Sequence, residues 1–121
     1  MRANADETRR VFKIAERAAW ETACQQGIYA GSRDDRRDGF IHLCAPHQLA
    51  GTFAKHFKDQ VDLVLIAFDA NMLGNDFRWE HSRGGDLFPH LYAPLPTAAA
   101  RGVRSLKLDS EGVLVVREDI P

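Results

Sequence analysis

At 121 residues the chain is long enough to bury one core without disulfide or metal staples, so a single domain is expected. Its 45% hydrophobic and 27% charged residues are ordinary for a soluble globular protein. The formal net charge of -1 excludes the broad basic field that nonspecific nucleic-acid binding requires.

The first nine residues are polar and aperiodic and are expected to form a flexible tail, with one domain over 10–121. VFKIA (11–15) opens that domain as a short strand. ERAAWETACQQ then suits a helix, with Ala15, Ala19, Thr22, Ala23 and Gln26 at helical spacing as a small-residue packing face. Trp20 and Cys24 form an i,i+4 pair beside it, and Cys24 reads as a small buried hydrophobe. Gly27 stops the helix, since glycine enters the left-handed region cheaply, and Ile28 can fold back on the last turn. AGSRDDRRD (30–38) is a loop by composition, with its charges in water. The alternative is that Arg33, Arg36 or Arg37 meets a ligand phosphate, for which the planar guanidinium is suited.

GFIHLC is the next strand, and Pro46 stands where a helix tolerates proline, in its first turn. In PHQLAGTFAKHF the repeat of Leu49, Phe53 and Phe57, with Ala50 and Ala54 beside it, is a core-facing stripe. His47 and His56 lie off that stripe, in solvent. VDLVLIAFD is apolar at nearly every position, as a central strand covered on both faces would be; its VLIAF run is far too short to span a bilayer. ANMLGND turns, FRWEHS alternates, RGGD turns and FPHLYAPL extends again. RGVRSLKLD and GVLVVRE close the sheet, with DSEG as a hairpin turn. Strands outnumber helices and both helices come early, which predicts an α+β domain. Cys24 and Cys44 form no CxxC pair and no signal peptide precedes them, so a reduced, cytoplasmic protein is expected.

Two histidines stand inside strands. Side chains alternate across a strand, so Phe40, His42 and Cys44 share the face opposite Ile41 and Leu43. By the same count Phe88, His90 and Tyr92 share a face, and Phe77, Trp79 and His81 oppose Arg78, Glu80 and Ser82. Such faces mix rings on which a flat ligand stacks with groups that fix its hydroxyls or amide. The competing reading is structural, each imidazole bonded to the main chain. Other chemistries fare worse. His42, Glu80, His81, Asp86 and His90 could supply metal ligands, but there is no HExxH spacing and no cysteine pair, so no metal site is expected. Cys44 as nucleophile would need His42 as base, and two residues along a strand span roughly 6.5–7 Å, too far for a direct bond. Glu80 is either a general acid/base or half of an Arg78–Glu80 surface pair. Trp79 reads as core. SRGGD lacks the order of a phosphate-binding glycine loop, and no RNA-binding aromatic–basic motif occurs.

The series W…G…DGFIHLC…Q…TF…F…L.LI.FD…L…RWE…FPHLYAPL, from about Val11 to Leu108, resembles a bacterial family, domain of unknown function 952. The family is similar to a divergent branch of the ADP-ribosyltransferase fold, which implies a split, mostly antiparallel sheet binding NAD in a cleft between two half-sheets. By that resemblance His42 takes the second-strand position, where a tyrosine often stacks near nicotinamide, and His90 the late-strand position, where transferases usually carry glutamate. Lys13 stands where relatives tend to have histidine, and Cys44 where they prefer serine. The resemblance thus makes His42 and His90 candidate catalytic residues and Lys13, Cys44, Glu80 and Tyr92 candidate ligand-binding residues. It implies a small nucleotide-like ligand, NAD being a substrate rather than a resident cofactor, and ADP-ribosyl or glycosyl-type transfer or hydrolysis. The alternatives are a module that binds a nucleotide or peptide without chemistry, favoured by the missing glutamate, and a structural protein. Neither a membrane nor a nucleic acid is an expected partner.

Overall fold

The computed structural model describes residues 9–115; residues 1–8 of the expected N-terminal tail lie outside them, and its last residue, Arg9, pairs with Asp69 at 3.4 Å. Among the described residues eight strands and three α-helices follow one another, and every strand pair is antiparallel. The first sheet has the order β1 (Arg10–Glu16), β4 (Leu63–Asp69), β8 (Gly102–Ser105). A second joins β3 (Ile41–His42), β6 (Leu87–Leu91) and β5 (Phe77–His81). A two-stranded ribbon pairs β2 (Ile28–Tyr29) with β7 (Leu95–Pro96). The domain is therefore α+β with antiparallel sheets, as the order of elements predicts.

β4 is central, as its unbroken apolar run predicts. Val64, Ile66 and Phe68 enter one core with Val11, Trp20, Tyr29, Ile41 and Leu91. Leu63, Leu65 and Ala67 enter a second with Phe12, Ile14, Leu49 and Phe53. Alternation along one strand thus serves both cores, and a strand with no solvent face has no place for polar residues.

The helices bring three corrections. In α1 (Arg17–Gln26) the buried residues are Trp20 and Ala23, while Ala19, Thr22 and Gln26 are exposed, and Ala15 belongs to β1. A large indole buries far more apolar area than alanines and decides which way the helix faces. Trp20 packs against Tyr29 and edge-on to Phe68, with centroids 5.9 and 6.3 Å apart. Cys24, expected inside, is exposed, as is Ile28. Second, the charged segment read as a loop holds a helix, α2 (Arg33–Asp38). Ser32 and Asp35 form a reciprocal capping box, and Gly39, at φ 86°, ends the helix in the left-handed region. Third, there are accordingly three early helices rather than two. α3 (Leu49–His56) follows a 3₁₀ turn opened by Pro46 and buries Leu49 and Phe53, with Phe57 half-buried, as the stripe predicts, but Ala50 and Ala54, expected beside them, are exposed.

Asp109 caps the last turn, accepting from the amides of Glu111 and Val113. The expected hairpin reduces, within the described residues, to a single bridge between Leu108 and Leu114; the remainder of GVLVVRE lies outside them. Among the described residues no helix is long and apolar enough to cross a membrane.

The two three-stranded sheets share the first core and are joined by a main-chain bridge. Phe12 N donates to Cys44 O at 2.8 Å and Cys44 N to Phe12 O at 2.9 Å, an isolated bridge between β1 and the segment after β3. Beyond that bridge the sheets diverge, and a cleft opens between them.

Candidate functional site

His42 and His90 are direct cross-strand partners on β3 and β6. They therefore point to the same face, with ring centroids 5.8 Å apart and edge-on geometry. Phe40 lies against both. It stacks on His90 at 4.0 Å and 28° and sits 4.6 Å from His42 and 5.2 Å from Tyr92. Both imidazoles line a cleft of about 230 Å³ whose walls include Lys13, Cys44 and Phe88.

Each ring is held by a carboxylate. Asp35 is 2% exposed and accepts four bonds. Its Oδ1 takes the His42 main-chain amide at 3.0 Å and faces His42 Nδ1 at 2.6 Å. Its Oδ2 takes the Lys13 ammonium at 2.7 Å and the Ser32 amide at 2.9 Å. Burial alone would raise this carboxyl, but the His42 ring and the Lys13 charge outweigh it and hold it well below the usual carboxylate range. Lys13 is itself buried, and burial lowers its pKa against the pull of Asp35. Its Nζ also donates to the His42 carbonyl at 2.9 Å, so two of its three protons are committed within the protein. The other side of the His42 ring, Nε2, faces Asp38 at 3.0 Å.

The second carboxylate is Glu80. His90 Nδ1 stands 2.8 Å from its Oε1, and the Tyr92 hydroxyl donates to the same oxygen at 2.7 Å. The bond from His90, then that from Tyr92, lowers the Glu80 pKa; the same bond raises that of Tyr92. An ionised carboxylate can only accept, so His90 carries a proton on Nδ1, which leaves Nε2 on the far side of the ring from Glu80. Nε2 makes no hydrogen bond among the described residues.

The six expected site residues thus gather in one region, but at different depths. His42, His90 and Lys13 line the cleft. Cys44 also reaches it, yet is buried in the second core, and burial pushes its thiol up to about 12. Glu80 and Tyr92 stand behind His90. The expected Arg78–Glu80 pair does not form among the described residues: the Arg78 guanidinium lies over the Tyr92 ring at 5.7 Å, leaving Glu80 to His90 and Tyr92. Trp79 packs on the first core, as predicted. Of the arginines considered for phosphate, Arg37 lines the cleft but is bonded to Asp34 and Asp38, and Arg36 donates to the Gly31 carbonyl. His81 turns to the Gly85 carbonyl, and no three metal-ligating side chains converge among the described residues.

Sequence reasoning missed Asp35, the residue on which the His42 half of the site rests. Its signal was the S-x-x-D pattern of Ser32 and Asp35 followed by Gly39, a helix start and stop inside a charged stretch. Asp38 and Thr52, which also line the cleft, carried no comparable mark.

Fold and site define a small antiparallel α+β protein whose divided sheets enclose two carboxylate-held imidazoles. The chain belongs to the DUF952 family, described as a protein family of unknown function, whose model matches residues 14–103. It is similar to protein CC0527 from Caulobacter crescentus: the crystal structure is 47% identical over 88% of this chain and 93% of that one, with a TM-score of 0.83. A double methionine variant of CC0527 gives 46% identity with the same coverage and TM-score. Its solution NMR structure gives 48% identity over 86% and 90% of the two chains and a TM-score of 0.77. No curated protein matches the chain.

Proposed function

We propose that the cleft binds NAD or a related nucleotide, in a divergent version of the ADP-ribosyltransferase site, and that His90 is its acid/base. The observation that carries this reading is the cross-strand pair His42–His90, with each Nδ1 against a carboxylate and His90 Nε2 without a hydrogen-bond partner among the described residues. Two half-sheets joined by a main-chain bridge, with the cleft between them, support it further.

A carboxylate behind an imidazole fixes its tautomer and orientation and stabilises the imidazolium that forms when the far nitrogen takes a proton. In the proposed reaction the bond between nicotinamide and the ribose C1′ breaks, and the ring leaves as neutral nicotinamide with the bonding electrons. Water, or an acceptor hydroxyl, adds to C1′ and gives its proton to His90 Nε2, which releases it to solvent. Glu80 and Tyr92 are positioning residues acting through His90. His42, held between Asp35 and Asp38, walls the cleft beside the ribose, and Lys13 fixes Asp35 and the His42 carbonyl.

One observation favours the second reading, binding without chemistry. Asp35 and Glu80 already accept bonds from protein groups, Asp34 accepts from Arg37, and Asp38 is engaged by Arg37 and His42, so among the described residues each carboxylate of the site is already engaged rather than free to stabilise an oxocarbenium ion. A thermal-shift series with NAD, ADP-ribose and mononucleotides, followed by assay of nicotinamide release, separates the possibilities, because a ligand of the native state raises Tm. Release that is lost in His90→Ala with binding retained establishes the enzyme. Binding without release establishes the module. No shift with any of these compounds refutes both.

A further inference from the structure

Granted the nucleotide reading of this cleft, we infer that the part of the ligand that enters it is a ribosylated ring without phosphate, an uncharged or cationic nucleoside end, and that phosphates stay outside the mouth. Size is the first argument. The cleft measures about 230 Å³. Pockets that enclose drug-sized ligands run from roughly 300 to 1,000 Å³. A ring with its ribose is the scale of fragment that fits; a whole dinucleotide is not.

Charge is the second. Among the described residues the lining contains one lysine and one arginine against three aspartates, Asp34, Asp35 and Asp38. Lys13 is sealed between Asp35 and the His42 carbonyl. Arg37 turns one edge of its fork, Nε and Nη2, onto the two oxygens of Asp38 at 3.0 and 3.3 Å, and Nη1 onto Asp34 at 3.2 Å. A fork meeting a carboxylate in this way is the geometry that would otherwise grip a phosphate. An incoming phosphate would have to displace both aspartates and then lie beside them. A positively charged pyridinium ring meets the opposite field and is favoured by it.

The remaining lining is suited to what a nucleoside does carry. Phe12, Phe57 and Phe88 supply flat apolar walls, and Ser82 a hydroxyl. Thr52 Oγ1 is buried and finds no oxygen or nitrogen partner among the described residues, with only the weakly bonding Cys44 thiol recorded beside it. A buried hydroxyl left in this state gains from a ligand hydroxyl or amide. Together with His90 Nε2 it offers hydrogen bonds that need no charge.

Isothermal titration calorimetry of the full chain tests this with nicotinamide riboside and adenosine against their 5′-monophosphates and NAD, each at low and high salt. The expected result is that adding a 5′-phosphate leaves affinity the same within about threefold, or weakens it, that adenosine binds independently of salt, and that the cationic nicotinamide riboside binds more weakly as salt rises. In Asp34→Asn/Asp38→Asn, which releases the Arg37 fork, the monophosphates should gain about tenfold over the nucleosides. Monophosphates binding about tenfold tighter than nucleosides to the unaltered chain, with loss of that gain in salt, overturn the inference while leaving the nucleotide reading in place. No gain in the double variant also overturns it, because the rim carboxylates would not then be what excludes phosphate. No binding by any of the compounds refutes the nucleotide reading itself.

Discussion

Asp35→Asn is the most informative single change. An amide keeps one acceptor oxygen where the carboxylate has two, and each Asp35 oxygen already serves two donors. If the amide oxygen takes the Oδ2 position, an NH₂ faces the His42 amide and ring; if it takes Oδ1, the NH₂ faces the Lys13 ammonium. Lys13 and Asp35 are 4% and 2% exposed, so water does not relieve either clash. Removing one member of a buried ion pair costs about 3–5 kcal/mol. For a chain of this length that corresponds to a fall in Tm of about 12–20 °C. Urea unfolding at neutral pH, followed by tryptophan fluorescence, measures the loss directly, Trp20 being buried in the first core. The pH dependence carries a second signature. Asp35 is held below its ordinary pKa, so its contribution is present above the unfolded value near 4 and disappears as the solution is acidified below it. Lys13 is also held below its ordinary value, so the native state releases that proton first and stability rises with pH toward the unfolded value near 10. The deficit of Asp35→Asn should therefore be greatest near neutrality and shrink as the pH rises. Adding Lys13→Met should recover about 1–3 kcal/mol as a coupling energy. A loss below about 1 kcal/mol, or strict additivity of the two changes, would refute the claim that this pair organises the site.

In Glu80→Gln the Tyr92 hydroxyl no longer donates to a carboxylate, so its ionisation should move down toward that of free tyrosine, read as earlier tyrosinate absorbance in an alkaline titration. Native protein treated with an alkylating reagent at mildly alkaline pH should take one adduct, on exposed Cys24; Cys44, with its thiol pushed up to about 12 in the core, should react only after denaturation, and mass spectrometry counts the difference. Phe53→Ala, which empties the buried face of α3, should cost about 3–5 kcal/mol in urea unfolding. Arg17→Ala, by contrast, removes an exposed pair with Asp62 and should change stability by less than about 1 kcal/mol.

What the sequence disclosed, and what it concealed, follows from how local each signal is. The β4 run and the Leu49–Phe53–Phe57 stripe announce themselves because burial on both faces, or on one helical face, leaves a pattern within a few residues. The shared face of Phe40, His42 and Cys44 was legible for the same reason, as was that of Phe88, His90 and Tyr92. Their convergence was not, because it rests on β3 pairing with β6 across a gap of some fifty residues. Asp35 was harder still. In RDDRRD it resembles its charged neighbours, and only its partner Lys13, 22 residues earlier and equally buried, separates it from them. Composition made that segment a loop, whereas two end signals, Ser32 and Gly39, made it a helix. For α1 the error ran the other way: a regular ladder of small residues suggested a packing face, but one indole outweighed it.

The clasp between Phe12 and Cys44 is made of main-chain atoms alone, as are the amide and carbonyl by which His42 is tied to Asp35 and Lys13. These bonds do not themselves depend on which side chain position 42 carries. A substitution at 42 can therefore alter what the cleft presents to a ligand while the main-chain bonds that seat the strand persist.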